Sequence, residues 1–289
     1  MDFLTASLLG LLQGLTEFLP VSSSGHLNLL QALFGINMEH QLLFNILLHV
    51  GSLIPVMIVF WKEWWAMLRH PIQNKTLLML FIASLPALAA KVLFDEPLAF
   101  FETHNMLLGV CFLFTGLLLL LTQRISLRRK SSKHPPAQKV GFLHALSMGC
   151  MQAIGMLPGI SRSGSTIFGG VASGLSREKA AQFSFMMSAP AIVAGLLSEG
   201  YSAIKDGSLA LTNDLPAICV GVLVAAISGY FAIRFMLRLI SKASLNWFAL
   251  YVILLGILVI ILQTLGIMTD APAATESLPA AARAFAPFL

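Results

Sequence analysis

Gln13, Glu17, Ser22, Ser23, Ser24 and His26 fall within one short stretch, QGLTEFLPVSSSGH, of an otherwise apolar opening segment. An amide, a carboxylate, three hydroxyls and an imidazole supply a general acid or base, candidate nucleophiles and a proton carrier. A second polar stretch, GMLPGISRSGST from Gly155 to Thr166, adds Arg162. Its planar guanidinium suits a phosphate, and Ser161, Ser163, Ser165 and Thr166 add donors at a helix N-terminus. Gly159 and its neighbouring glycines let a backbone come close to a ligand. No GxxxxGK[ST] pattern occurs, so this is not a Walker nucleotide site. Together the two stretches carry an anion clamp, an acid and a hydroxyl, which suits phosphoryl transfer, where catalysis is mostly positioning and charge stabilisation. The competing reading of Arg162 is an ion pair with Glu17 that only locks the two stretches together, since a lone buried guanidinium is costly.

These residues must be positioned by a broken helix. An apolar helix is predicted over Phe3 to Phe18, with Gln13 and Glu17 four apart on one face. Pro20 lacks an N–H and pushes Leu19 into an extended conformation, which ends that helix. The serines that follow are good N-caps, and a short apolar helix is expected to run from Gly25 and His26 to about Phe34, before a Gly35–Asn37 turn. Such a break is tolerated at membrane depth only if protein buries it or it lines a wet cavity.

The composition puts the break at that depth. The chain is 57% hydrophobic and 11% charged, against roughly 25% charged in soluble domains, and its mean hydropathy is +0.84. Leu42–Trp61, Leu77–Leu93, Met106–Leu121, Phe183–Leu197, Pro216–Leu237 and Trp247–Leu262 approach the ~20 residues that span a bilayer. The chain therefore reads as an all-α polytopic membrane protein. The N-terminus does not read as a cleaved signal, because Asp2 stands where a basic residue is expected. The net charge of +5 follows from where the basic residues lie, so no nucleic-acid partner is implied. Cys111, Cys150 and Cys219 lie in apolar segments without framework spacing and are assigned no redox or metal role.

The first half repeats at an offset of 139: Gln13 matches Gln152, Phe44 matches Phe183, and Ser22–Gly25 matches Ser161–Gly164. This divides a single membrane domain, 1–265, into repeat one (about 3–123), a basic linker (124–139) and repeat two (about 141–265), with 266–289 as a disordered tail. If each broken segment is a re-entrant hairpin, each half adds three full spans, and an odd number makes the repeats inverted. Under that topology Lys62, Arg69, Lys75, the Arg124–Lys139 cluster, Arg177, Lys179, Arg234, Arg238 and Lys242 share one side, which is cytoplasmic. Asp95–Asn105, without Lys or Arg, lies outside with both termini. Trp61, Trp64 and Trp65, with Lys62 and Arg69, form an interfacial belt. The two hairpins then enter from opposite faces and meet near the midplane.

At these residues the chain resembles a known family, the undecaprenyl-diphosphate phosphatases of the bacitracin-resistance type. The family pattern (E/Q)xxxE followed by PVSSxGH matches Gln13, Glu17 and Pro20 to His26, and PGxSRSxxT matches Pro158 to Thr166. The resemblance covers about residues 1–265. It implies removal of the terminal phosphate from undecaprenyl diphosphate, regenerating the lipid carrier of cell-wall synthesis in a bacterial plasma membrane. It also implies interdigitated inverted repeats and a divalent cation, Mg or Ca, at Glu17 and Gln13. The amide at position 13 leaves one carboxylate for that cation, with substrate phosphates completing its oxygen ligands. Bacitracin is expected to compete by binding the lipid substrate, and a homodimer is carried as a further partner.

The assigned catalytic residues are Glu17, Ser23, His26 and Arg162, with Ser23 favoured over His26 as nucleophile. The phosphate cradle is Ser22, Ser24, Gly159, Ser161, Arg162, Ser163 and Thr166. The alternative for His26 is a hydrogen bond to the Gln13 amide. His49 is read as a helix-packing hydrogen bonder, with Asn45 one turn before it as its partner. Two other functions were weighed: a lipid-phosphate flippase on the same scaffold, and the second membrane phosphatase class. The latter is disfavoured because Phe168 stands where its nucleophilic His belongs.

Overall fold

The computed structural model describes residues 2–34, 41–71, 73–103, 105–130, 135–205 and 215–268. Within them the chain is all helix apart from turns and one isolated bridge between Ala137 and Leu175. The elements are α1 (Phe3–Phe18), α2 (Ser23–Leu33), α3 (Gln41–Val59), α4 (Trp61–Arg69), α5 (Lys75–Leu93), α6 (Asp95–Thr103) and α7 (Leu108–Lys130). The second half contains α8 (Phe142–Ile154), α9 (Arg162–Ser173), α10 (Arg177–Lys205), α11 (Leu215–Leu239) and α12 (Asn246–Thr264). Five helices are long and apolar enough to cross a membrane, six if α3 and α4, bent by 78°, count as one span.

Local chemistry sets the breaks. Asp2 caps α1 by accepting from the Thr5 amide, and Leu19 ends it in an extended conformation (φ −75°, ψ 144°), as the Pro20 rule requires. Ser22 and Ser161 cap α2 and α9, each accepting from the amide of the glycine three residues on, Gly25 and Gly164. Capping by Ser22 starts α2 at Ser23, two residues before the expected Gly25.

Packing joins the two halves. α1 lies along α11, α8 lies along α5, α3 packs on α10, and α7 packs on α12. Small residues permit this closeness: a Cβ on Gly256 would stand 2.8 Å from the Gly109 carbonyl oxygen, and one on Gly221 2.9 Å from that of Ala6. A core built from Phe18, Val56, Phe60, Met148, Ile167, Phe185, Met187 and Met236 draws on helices of both halves. Apolar side chains are largely exposed along α5 and α12, as befits helices facing lipid.

Helix extends into two segments read as lying between the spans. The basic segment from Arg124 continues α7 to Lys130, because Arg and Lys are good helix formers and favourable at a helix C-terminus. Asp95–Asn105 contains α6, whose first turn carries Asp95 and Glu96 where the dipole favours them. In the tryptophan belt, Trp61 and Trp65 stack on the exposed side with Arg69 over Trp65, whereas Trp64 turns inward to the Val56 carbonyl. The expected Gly35–Asn37 turn and nearly all of the 266–289 tail lie outside the described residues.

Candidate active site

Glu17 is the centre of the polar cluster. It lies on α1, is only 5% exposed, and both of its oxygens are engaged. Arg162, from the second break, donates to Oε1. Oε2 accepts from Ser23 Oγ at 2.6 Å and Gln13 Nε2 at 2.9 Å, and His49 Nε2 stands 3.5 Å away. Ser23 and Arg162 are counterparts at the offset of 139, and they converge on one carboxylate. The ion pair read as the alternative for Arg162 is therefore present. A guanidinium carries five N–H donors, so pairing with Glu17 leaves others for an anion.

The breaks touch directly. Ser163 Oγ donates to the Leu19 carbonyl at 3.0 Å, and a Cβ on Gly25 would stand 2.8 Å from Gly159 Cα. Gly159 has φ +88°, a conformation that favours glycine, and a Cβ there would stand 2.7 Å from Cys111 Cβ and 2.8 Å from the Leu108 carbonyl oxygen, so this position tolerates no side chain on either count. Thr115 of α7 pins the second break: its hydroxyl donates to the Gly159 carbonyl and accepts from the Ser161 amide, both at 2.9 Å. Ser22, the non-glycine residue at positive φ among those described (70°), holds a sparsely populated conformation at the start of α2.

The expected phosphate cradle divides. Ser22, Ser23, Ser24, Ser161, Arg162 and Ser163 cluster where the breaks meet, with Ser23, Ser24 and Arg162 the partly exposed members. Thr166 and Ser165 bond within the second half. Thr166 Oγ1 bonds to Ser184 Oγ of α10 at 2.6 Å and to the Arg162 carbonyl at 2.7 Å, and Ser165 donates to the same carbonyl at 3.1 Å. Gly159 serves the contact with Gly25 and Thr115.

His26 does not bond to Gln13, whose amide nitrogen goes to Glu17 instead. Its Nδ1 meets the Ser22 carbonyl at 2.6 Å and its Nε2 the Tyr251 hydroxyl at 2.7 Å. Asn45 receives the His49 ring through its backbone carbonyl (2.8 Å), while its side-chain oxygen accepts from Gln31 at 3.1 Å. Sequence reasoning undervalued His49 and missed Thr115 and Tyr251. For His49 the available signal was its helical spacing with Asn45 and Ser52 on one face of α3; for Thr115 and Tyr251, each flanked by apolar residues, it was only that such residues require a partner.

For a divalent cation, the residues fit in part. Gln13 is fully buried and its Oε1 has no hydrogen-bond partner, an orphaned oxygen beside the Glu17 carboxylate. A carboxylate and a free amide oxygen are hard ligands of the kind Mg and Ca take, two where such ions need about six.

Comparison with known proteins identifies the family. The chain is 41% identical to the undecaprenyl-diphosphatase of Carboxydothermus hydrogenoformans, over 92% of this chain and 99% of the relative. It is 38% identical to that of Halothermothrix orenii (91% and 98%) and 35% identical to one from Bacteroides fragilis (92% and 100%). A family model described as bacitracin resistance protein BacA matches residues 6–258, the region that holds both breaks and all twelve described helices but the ends of α1 and α12. The chain belongs to the bacitracin resistance protein BacA family.

Proposed function

We propose that this protein is an undecaprenyl-diphosphatase, a membrane enzyme that removes the terminal phosphate of undecaprenyl diphosphate and returns undecaprenyl phosphate to cell-wall synthesis. The reading rests on the names of its relatives and on one observation of its own: the buried Glu17 carboxylate holds Ser23 and Arg162 together. Ser23 Oγ attacks the terminal phosphorus while Glu17 Oε2, already accepting its hydrogen bond at 2.6 Å, takes the proton. The anhydride bond breaks and undecaprenyl phosphate leaves; water then hydrolyses the phosphoserine, giving the proton it releases to His26, while Glu17 returns its own to Ser23. The guanidinium of Arg162 holds the phosphoryl oxygens, with Ser22, Ser24, Ser161 and Ser163 around the same opening. His26, about one turn along α2, protonates the leaving oxygen.

Glu17 and Gln13 would hold a divalent cation, Mg or Ca, with the diphosphate supplying further oxygens; when bound it would offset phosphate charge. The scaffold we infer is a pair of inverted repeats, α1–α7 and α8–α12, with α1–α2 and α8–α9 as re-entrant hairpins. Support comes from the matching helix order at the offset of 139 and from the exchanged packing of α1 on α11 and α8 on α5. In that topology the 124–139 segment is cytoplasmic and both termini are outside, in a bacterial plasma membrane. Bacitracin would compete by sequestering the lipid diphosphate, and a second copy of the chain would be its homodimer partner.

The test is phosphate release from undecaprenyl diphosphate by the purified protein in detergent, with and without chelator. Turnover that is lost on chelation and restored by Mg or Ca supports both the activity and the cation. Absence of phosphate release from folded protein supplied with either ion refutes the activity.

A further inference from the structure

α12 carries one hydroxyl in the middle of an apolar helix, and the assignments above give it no role. Trp247, Leu250, Tyr251, Leu254, Leu258 and Ile261 form its exposed stripe, at helical spacing, on a helix with a mean hydropathy of 2.4. Tyr251 is 47% exposed there. Its hydroxyl, which would otherwise lie against hydrocarbon, reaches back to His26 Nε2 at 2.7 Å, and the two ring planes lie within 18° of each other. Phe112, fully buried on α7, closes the His26 ring edge-on at 5.4 Å between centroids. Val252, Leu29 and Phe112 belong to the core cluster that fixes α12, α2 and α7 together.

The partners decide the tautomer. A backbone carbonyl only accepts, so the 2.6 Å contact to Ser22 places the proton on Nδ1. In neutral His26 the lone pair is then on Nε2, and the Tyr251 O–H donates to it; in the protonated ring the same bond runs from Nε2–H to the phenol oxygen. We propose that Tyr251 is the positioning residue for His26, holding Nε2 as the proton-carrying nitrogen and aiming it toward the exposed, lipid-side face of α12. That is the side on which a leaving group with a hydrocarbon chain must emerge. The inference deepens the phosphatase reading and rests on it for its kinetic arm only.

Tyr251→Phe keeps the ring and removes the hydroxyl. Losing one buried hydrogen bond to the proton carrier is expected to lower kcat on the order of tenfold, with KM within about twofold. In a His26→Ala background, which is expected to retain a small residual rate, the same substitution should have no further effect. An unchanged kcat, or a full additional loss in His26→Ala, overturns the proposal. A second measurement needs no turnover: diethyl pyrocarbonate modification of His26, followed by peptide mass spectrometry on the folded protein. Removal of the hydroxyl frees Nε2 of its partner, so Tyr251→Phe should accelerate modification several-fold, and an unchanged rate overturns the proposal. If the wild type releases no phosphate, the activity reading fails while this arm still tests the pairing.

Discussion

Replacing Arg162 by Lys and by Ala separates two jobs that its position combines. Its partner Glu17 is 5% exposed and receives its one unconditional positive charge from Arg162, because His49 is cationic only when protonated. Two unit charges about 4 Å apart attract by about 4 kcal/mol at an effective dielectric constant of about 20. Breaking a buried pair by removing one member costs about 3–5 kcal/mol. Arg162→Ala should therefore lower the thermal midpoint sharply in detergent. Arg162→Lys keeps a charge for Glu17 and should fold with a midpoint near that of the wild type. The ammonium is a point charge, however, and cannot bind a carboxylate and a phosphate with separate arms of one planar group. Loss of that contact at the transferring phosphoryl group is expected to slow phosphate release on the order of 10²- to 10³-fold. A thermal-shift series with a phosphate-release assay on the same preparations reads both effects. Near-normal turnover of Arg162→Lys, beside an unstable Arg162→Ala, would show that Arg162 is only the counter-ion of Glu17, and the anion clamp would be wrong.

Other variants probe the remaining parts of the arrangement. Ser23→Ala should abolish turnover with the fold intact, and rapid acid quench of the wild type should trap an acid-stable phosphoserine; an acid-labile phosphohistidine at His26 would transfer the nucleophile's role to that ring. Thr115→Val removes the hydroxyl that serves both the Gly159 carbonyl and the Ser161 amide at 2.9 Å. Stranding two buried backbone groups should cost roughly 2–4 kcal/mol, whereas Thr115→Ser keeps both bonds; equal thermal midpoints for Val and wild type would refute the pin. In a cysteine-free background, single cysteines at Glu96 and Lys139 should be labelled by an impermeant maleimide from opposite sides of the membrane, and labelling of both from outside intact cells would sink the re-entrant topology.

What the sequence made legible was set by punctuation. Pro20 fixed the end of α1 at Phe18, and Ser22 and Ser161 supplied caps, because these signals act within a few residues. The meeting of Ser23 with Arg162 was also legible, from their equal places in the repeat. The partners contributed by α3, α7 and α12 were not. His49 shares a polar face of α3 with Asn45 and Ser52 at helical spacing, whereas Thr115 and Tyr251 are flanked by apolar residues, and for all three only packing of distant helices decides what they reach. The basic segment after Arg124, read as a linker from its charge, is helical as far as Lys130, because its residues are good helix formers and extend α7 beyond its apolar length.

The two halves match in sequence at the offset of 139 and differ in chemistry, and on the proposed reading that difference explains why one site results from two breaks. Gln13 has its counterpart in Gln152, and Ser22 and Gly25 have theirs in Ser161 and Gly164. Glu17, however, corresponds to Met156, His26 to Ser165, and Ser23 to Arg162. The first break thus brings carboxylate, hydroxyl and imidazole, and the second brings the guanidinium. With Met156 opposite, the acceptor to which Arg162 is seen to bond is the carboxylate of the other half, so desolvation itself favours docking the second break against the first. The contact that relieves the buried charges is the same contact that puts Arg162 on the carboxylate that Ser23 also bonds, so on the proposed reading docking of the breaks and assembly of the phosphoryl-transfer site are one event.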